Sequence, residues 1–407
     1  MNKNKPKKNQ WIRFRHRIVR NVVYFILRPY SWWKYNISPT RFKEQEKRPY
    51  LVLLNHQTPF DQFFVGMSFR GPIYYMATED LFSNGWVSSL IRWLIAPIPI
   101  KKQTTDVTAV KNCIRVAREG GSIAIAPEGN RTYSGKTEYM NPAIAPLARK
   151  LNMPIVLYRI EGGYGAQPRW SDGIRKGRMR SYVSRVIQPE EYAAMTDDEL
   201  FACIEQELFV DEGVADVSFR SNKRAEYLER AMYVCPFCGL SRFESHGNEA
   251  ACLTCHRKVT YGEDKRLTGV GYDFPFEFTT DWYDYQKDFI NRFDVTQHTE
   301  QPLYEDTANL SEVILNQRKV LLRENASLSL YGDRITIDEG APEEKDLHFS
   351  DSTAVTVLGR NKLNVYHSGM VYQFKGDKRF NALKYVHIYY RHKNITKGDP
   401  NDTFLGL

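Results

Sequence analysis

The chain has no run of 18 apolar residues, so a conventional membrane-spanning helix is not expected. Its first 43 residues hold no Asp or Glu, against twelve Lys and Arg. The start is polar and basic, and no small-residue cleavage site follows a long apolar region. A secretory signal is therefore not expected. Cysteine is scarce, six in 407 residues, and four of the six are grouped. That grouping points to a reducing compartment and a metal site. What is present sets the scale. The length suits two or three domains. A hydrophobic content of 42% supports buried cores and excludes wholesale disorder. The formal charge is +9, and its concentration at the N-terminus says more than its total.

Such a basic run suits nucleic acid or an anionic membrane face. Met1–Gln10 reads as a Lys-rich tail. Trp11–Leu27 reads as a helix. On a 3.6-residue wheel Trp11, Phe14, Ile18, Val22 and Phe25 share one side; Arg13, Arg17, Arg20 and Arg28 share another. Pro29 is expected to end it, and Tyr30, Trp32, Trp33 and Tyr35 follow. A basic amphipathic helix with aromatics at one end suits the headgroup layer of a bilayer. The plainer reading is a helix packed on its own domain with a solvated basic face.

Strand and helix then alternate. Strands are expected at Arg48–Leu54, Gly71–Ala77, Ser122–Ala126 and Met153–Ile160. Helices are expected at Phe63–Phe69, Asn84–Ile95, Thr104–Glu119, Asn141–Leu151 and Glu190–Phe209, the third stopping at Gly120-Gly121. Asn84–Ile95 is too short to span a bilayer and reads as core, or as part of an apolar binding wall. The alternation predicts an α/β fold, a largely parallel sheet covered by helices. Sites in such sheets form at strand ends. The first of these strands ends at Asn55-His56, and Asp61 follows in a His-x4-Asp spacing. A carboxylate there can hold one ring nitrogen of the histidine and leave the other as a general base. No nucleophile stands beside His56, so the attacking hydroxyl would come from a substrate. A second strand end carries Pro127-Glu128-Gly129-Asn130-Arg131-Thr132.

Together these stretches resemble the glycerolipid acyltransferases of the 1-acyl-glycerol-3-phosphate type. That family carries Asn-His-x4-Asp, Ile-Pro-Val-x-Arg, Pro-Glu-Gly-Thr-Arg-Ser and Val-Pro-Ile-Val motifs in this order. Here the second reads Ile98-Pro99-Ile100-Lys101-Lys102 and the last Met153-Pro154-Ile155-Val156. The resemblance covers roughly residues 46 to 190. It implies acyl transfer from a thioester, acyl-CoA or acyl carrier protein, to the sn-2 hydroxyl of 1-acyl-glycerol-3-phosphate, giving phosphatidic acid. His56 and Asp61 would be catalytic. Lys102, Glu128, Gly129, Asn130 and Arg131 would bind substrate, with backbone N–H groups near Gly129 helping to hold an oxyanion or phosphate. Glu128 would orient Arg131 or accept from a glycerol hydroxyl. Two departures stand out: Lys102 where the family usually has Arg, and Asn130 where it usually has Thr. Lysine keeps the charge but loses the two-pronged grip on phosphate.

The C-terminal half has another texture. Arg224–Met232 reads as a connector. Cys235-Pro-Phe-Cys238 and Cys252-Leu-Thr-Cys255 are separated by thirteen residues. Paired Cys-x2-Cys knuckles suit tetrahedral thiolate ligation, and the stretch looks like a zinc ribbon holding a structural Zn2+. Such a closed site leaves no role for a catalytic metal. His246 and His256 are alternative ligands. Asp281–Phe293 is expected to be helical. Short strands follow at Ser327–Tyr331, Arg334–Ile337, Ala354–Leu358, Leu363–His367 and Met370–Phe374, then a helix at Phe380–Tyr390. This pattern looks like a PH/GRAM-type barrel by fold analogy alone.

Five segments result: a basic membrane-surface segment at 1–45, an acyltransferase domain at 46–230, a zinc ribbon at 231–262, a linker with helices at 263–319 and a small antiparallel β domain with a C-terminal helix at 320–407. The expected setting is cytoplasmic, peripheral on the inner face of the cell membrane, with a lysophospholipid acceptor. Competing readings are an acyltransferase for another lysophospholipid, and an inactive membrane-recruited adaptor using the ribbon and β domain. Nucleic acid is not an expected partner, because Met232–Lys258 is not strongly basic.

Overall fold

The computed structural model describes residues 11–83, 85–100, 106–214, 217–314, 317–398 and 402–406. The tail Met1–Gln10 and Lys102 lie outside the described residues. Contacts divide the chain into two units, each discontinuous in sequence. The first comprises Met1–Gly129, Met140–Ile160 and Arg180–Phe209; the second comprises Asn130–Tyr139, Glu161–Met179 and Val210–Leu407.

As far as residue 208 the elements are α1 (Phe14–Tyr35), β1 (Leu51–Leu54), α2 (Asp61–Ser68), β2 (Ile73–Thr78), α3 (Trp86–Ile95), β3 (Ile98–Ile100), α4 (Val107–Arg118), β4 (Ser122–Ile125), α5 (Ile144–Leu151), β5 (Ile155–Glu161), the single turn α6 (Gly163–Ala166), β6 (Arg180–Ile187), α7 (Pro189–Ala193) and α8 (Asp197–Leu208). The strands form one six-stranded sheet in the order β3-β2-β4-β1-β5-β6. The pairings of β1 with β4 and β5, and of β2 with β3 and β4, are parallel. Leu51, Val52 and Leu53 are fully buried, as continuous apolar runs in a helix-covered parallel sheet are. One face packs Leu51, Leu53, Ile123, Ile155 and Leu157 against Cys113 and Val116 of α4 and Ala145 and Ala148 of α5. Asp106 caps α4 by accepting from the Ala109 N–H at 3.0 Å. Gly120, at φ 84°, ends it, with its N–H bonded to Ala117 at 2.9 Å.

In this part of the chain four expectations need correction. Helix α1 runs through Pro29 to Tyr35. Pro29 is exposed, so the carbonyl it leaves without an i+4 donor can meet solvent. Helix α3 is not core: only its Ser88 is buried. Strand β6 was not expected, because Arg180 and Arg185 interrupt its apolar run. Glu190–Phe209 is two helices, since Thr196 caps α8 with a capping box to Glu199.

Helix α1 is turned opposite to an ordinary surface helix. Its buried residues are His16, Tyr24, Ser31 and Tyr35. His16 Nδ1 meets the Tyr74 hydroxyl at 3.0 Å. Burial, then the charges of Arg15 and Arg13, hold His16 below the usual imidazole range. Arg20 donates to the carbonyls of Gly66 and Phe69, so it leaves the solvated basic face. No helix among the described residues is long and apolar enough to cross a membrane.

The second unit holds a hairpin of β7 (Val234–Cys235) and β8 (Gly239–Leu240). It also holds a four-stranded sheet of β9 (Phe243–His246), β10 (Glu249–Cys252), β11 (Lys258–Tyr261) and β12 (Leu267–Gly269), then helix α9 (Thr279–Arg292). Seven further strands follow: β13 (Tyr304–Ile314), β14 (Arg318–Leu330), β15 (Arg334–Ile337), β16 (Lys345–His348), β17 (Ser352–Leu358), β18 (Lys362–His367) and β19 (Met370–Gly376). They pair antiparallel in the order β16-β15-β14-β13-β19-β18-β17. Helix α10 (Leu383–Lys397) packs on β17. One hydrophobic core runs through Trp170, Cys235, Val259, Trp282, Leu330, Phe374 and Val386. The expected connector Arg224–Met232 belongs to that core: Leu228, Glu229 and Arg230 are buried in a 3-10 turn. Arg230 is satisfied there by the Trp170 carbonyl at 2.8 Å and by Asp172 at 2.7 Å. Strands β13, β16 and the first half of β14 were not expected. Their sequences are rich in charged residues, and pairing within the sheet overrides that composition.

Candidate active site

Strand β1 runs out at Leu54, and Asn55, His56, Gln57 and Thr58 lead into α2. Asp61 is the first residue of that helix and is fully buried. A carboxylate is favoured at a helix N-terminus, where backbone N–H groups lack partners. Asp61 Oδ2 accepts from His56 Nδ1 at 2.8 Å, from the Gln57 N–H at 2.7 Å and from the Thr58 N–H at 3.0 Å. Its Oδ1 accepts from the Thr58 hydroxyl at 2.6 Å. The ring of His56 is thereby oriented through Nδ1. Its side chain is 26% exposed, and Nε2 is the nitrogen left to take a proton.

Two residues that the sequence reading passed over hold this loop. Asn55 is fully buried and clamps β5 twice: its Nδ2 donates to the Ile160 carbonyl, and its Oδ1 accepts from the Ile160 N–H, both at 2.8 Å. Thr58 lies inside the x4 of His-x4-Asp. Its signal was available, since a hydroxyl three residues before a helix-starting Asp is a short-range partner.

Register brings the second motif to the first. Leu53 pairs with Ile125 across β1 and β4. Three residues further along each strand stand His56 and Glu128. Glu128 is buried, and its Oε1 accepts from the His56 backbone N–H at 2.7 Å. Its carboxylate therefore braces the histidine loop, a contact the sequence did not suggest. Gly129 has φ 67°, a conformation in which glycine is unstrained. Its N–H is already donated to Ala126 at 3.0 Å, so that N–H is not spare for an oxyanion. Asn130 and Arg131 belong to the second unit and are half-buried. There the Arg131 carbonyl accepts from Arg169 Nη1 at 2.8 Å, while the Arg169 guanidinium lies 4.2 Å from the Tyr133 ring centroid. The structure thus gathers His56, Asp61 and Glu128, with Gly129 adjoining.

In the second unit the sulfurs of Cys235, Cys238, Cys252 and Cys255 all lie within 4.8 Å of one another. Cys235 and Cys255 are 3.8 Å apart, and Cys238 and Cys252 3.5 Å. Tetrahedral thiolate ligation with bonds of about 2.3 Å sets sulfurs about 3.8 Å apart, so the set fits a metal ion. Burial works to raise the Cys252 thiol. Hydrogen bonds from the Cys255 backbone and the Ser241 hydroxyl outweigh it and bring the thiol down to about 7. His246 instead pairs with Glu244 at 3.1 Å, and neither His246 nor His256 joins the four-sulfur group.

Residues 37–160 match a protein-family model described as Acyltransferase. The chain is 23% identical over 136 residues to a 1-acyl-sn-glycerol-3-phosphate acyltransferase of Bacillus subtilis (strain 168), covering 33% of this chain and 65% of the relative. It is 22% identical over 176 residues to the chloroplastic 1-acyl-sn-glycerol-3-phosphate acyltransferase BAT2 of Brassica napus, covering 42% and 49%. The chain thus spans less than two thirds of the length of these relatives. The crystal structure of the 1-acyl-sn-glycerophosphate (LPA) acyltransferase PlsC from Thermotoga maritima aligns at a TM-score of 0.40 and 19% identity, covering 47% of this chain and 78% of that one. Both motif loops lie inside the matched residues, and residues 37–160 are identified as an acyltransferase domain similar to the 1-acyl-sn-glycerol-3-phosphate acyltransferases.

Proposed function

We propose that the chain transfers a fatty acyl group from a thioester, acyl-CoA or acyl carrier protein, to the sn-2 hydroxyl of 1-acyl-glycerol-3-phosphate, yielding phosphatidic acid. The observation that carries this reading is the His56–Asp61 hydrogen bond at the end of β1, braced by Glu128. His56 Nε2 takes the proton of the acceptor hydroxyl. The hydroxyl oxygen forms a bond to the thioester carbonyl carbon, and the carbon–sulfur bond breaks. The departing thiolate takes the proton back from the imidazolium. No covalent acyl-enzyme is needed. Arg131 binds the acceptor phosphate through two parallel hydrogen bonds, with Lys102 and Asn130 assisting. Asp61 and Glu128 position His56. The four cysteines hold a structural Zn2+, which stabilises the second unit and takes no part in the transfer. The seven-stranded domain is PH-like. The chain works peripherally on an anionic membrane at its cytoplasmic face, with α1 in the headgroup layer.

The test is an acceptor panel with a labelled acyl thioester, lysophosphatidic acid and lysophospholipids of larger headgroup. Transfer to lysophosphatidic acid, reduced by about 10² to 10⁴ in His56→Ala with the fold intact, is the expected result. Transfer only to other lysophospholipids overturns the acceptor. An active His56→Ala variant overturns the mechanism.

A further inference from the structure

We infer that α3 is a second membrane-docking element, and that α1 and α3 together form one face that seats the first unit on an anionic bilayer. Both helices are turned with their apolar sides to the outside. On α1 the exposed stripe is Phe14, Ile18, Val22, Phe25 and Trp32, at helical spacing; Phe14 and Phe25 are each 76% exposed. On α3 it is Trp86, Leu90 and Trp93, at 77%, 44% and 54%, while Ser88 faces inward. Water is a poor solvent for either stripe, and exposed apolar surface on this scale marks an interaction site.

The two helices are in contact. Arg15 of α1 donates from Nε to the Trp93 carbonyl at 2.7 Å, and its guanidinium lies 4.9 Å from the Trp93 ring centroid. The aromatic-rich ends of both stripes suit the boundary between acyl chains and headgroups. Charge identifies the occupant. Helix α1 carries no acidic residue, and Arg13, Arg17 and Arg28 are exposed beside its apolar stripe. Basic residues flanking apolar side chains complement anionic lipid headgroups. A single helix in the interface leaves the protein free to rock about that helix axis. A second contact removes that freedom and holds the unit in one orientation toward the lipid.

The experiment uses the full chain and vesicles of phosphatidylcholine with and without phosphatidylglycerol. It compares the parent with Phe14→Ser/Phe25→Ser, with Trp86→Ser/Leu90→Ser and with all four changes. All four side chains are exposed, so the fold is expected to persist. Each pair is expected to lower vesicle partitioning by about tenfold or more, and the combination by about the product. Binding is expected to weaken without phosphatidylglycerol and with added salt. Binding by Trp86→Ser/Leu90→Ser equal to the parent overturns the inference. So does a parent dimer in sedimentation that these changes dissolve while vesicle binding is kept, because the face would then belong to a second copy. The assay contains no acyl donor or acceptor, so its outcome is independent of the acyltransferase reading.

Discussion

Thr58 shows how much the His56–Asp61 pair depends on a side chain outside the motif letters. Asp61 is fully buried, and its Oδ1 accepts from the Thr58 N–H at 3.1 Å and from the Thr58 hydroxyl at 2.6 Å. Thr58→Val keeps the shape and removes that donor. A hydrogen bond to a charged group contributes about 1.5–3 kcal/mol, and a buried oxygen left short of a partner draws other donors toward it. The competing donor is the His56 ring, so its orientation loosens. Thr58→Val is expected to lower kcat by about ten- to a hundredfold with little change in KM, and Thr58→Ser to restore most of it. Steady-state kinetics on the three proteins checks this. A Val variant with unchanged kcat would show that Asp61 holds the ring without Thr58.

At the scale of elements, α10 and the strands it covers carry the C-terminal core, and a histidine lies within it. His387 is almost fully buried, its Nδ1 meeting the Tyr233 hydroxyl at 2.6 Å and its Nε2 the Tyr283 hydroxyl at 3.4 Å. Burial, with a smaller contribution from the Lys287 charge, lowers its pKa to about 3. The unfolded chain protonates this ring near 6.5, and the folded chain resists until about 3. Between those values the unfolded state binds the extra proton, so this contribution to stability is present above about pH 6.5 and is lost as pH falls toward 3. The slope is at most about 1.4 kcal/mol per pH unit. Denaturant unfolding from pH 7.5 to 4.5 checks it. His387→Asn is expected to show a shallower loss than the parent, whatever its starting stability. Equal slopes would refute the assignment.

For the whole molecule, the four-cysteine group is the point at which to perturb one unit selectively. Cys235 and Cys252 sit in the same core as Trp282, Leu330 and Val386. Loss of the ion is therefore expected to weaken the second unit as a body and not the knuckles alone. Elemental analysis should find about one zinc per chain. Cys252→Ser should lose it, and His246→Ala and His256→Ala should keep it. Chelation should lower the melting temperature. A chain that keeps its metal in Cys252→Ser, or loses it in His256→Ala, would require another ligand set.

The sequence by itself determined what depends on neighbours along the chain. The apolar runs at Leu51–Leu54 and Ile155–Tyr158 and the turn signal Gly120-Gly121 marked the parallel sheet and its helices. The spacing His56-x4-Asp61 is one loop and one helix start, so its hydrogen bond was legible before any fold was known. The paired Cys-x2-Cys knuckles were legible for the same reason. Tertiary structure decided what depends on register and on sides. Glu128 meets the His56 backbone only because β1 and β4 lie adjacent and parallel with Leu53 opposite Ile125. Asn55 reaches Ile160 only because β5 flanks β1 on its other side. Strands β13 and β16 exist because neighbouring strands complete their hydrogen bonds, despite a charged composition. Helix α3 reads as a core helix by composition, since a hydrophobic stripe records a preference for an apolar environment and not its location. The fold places that stripe outside.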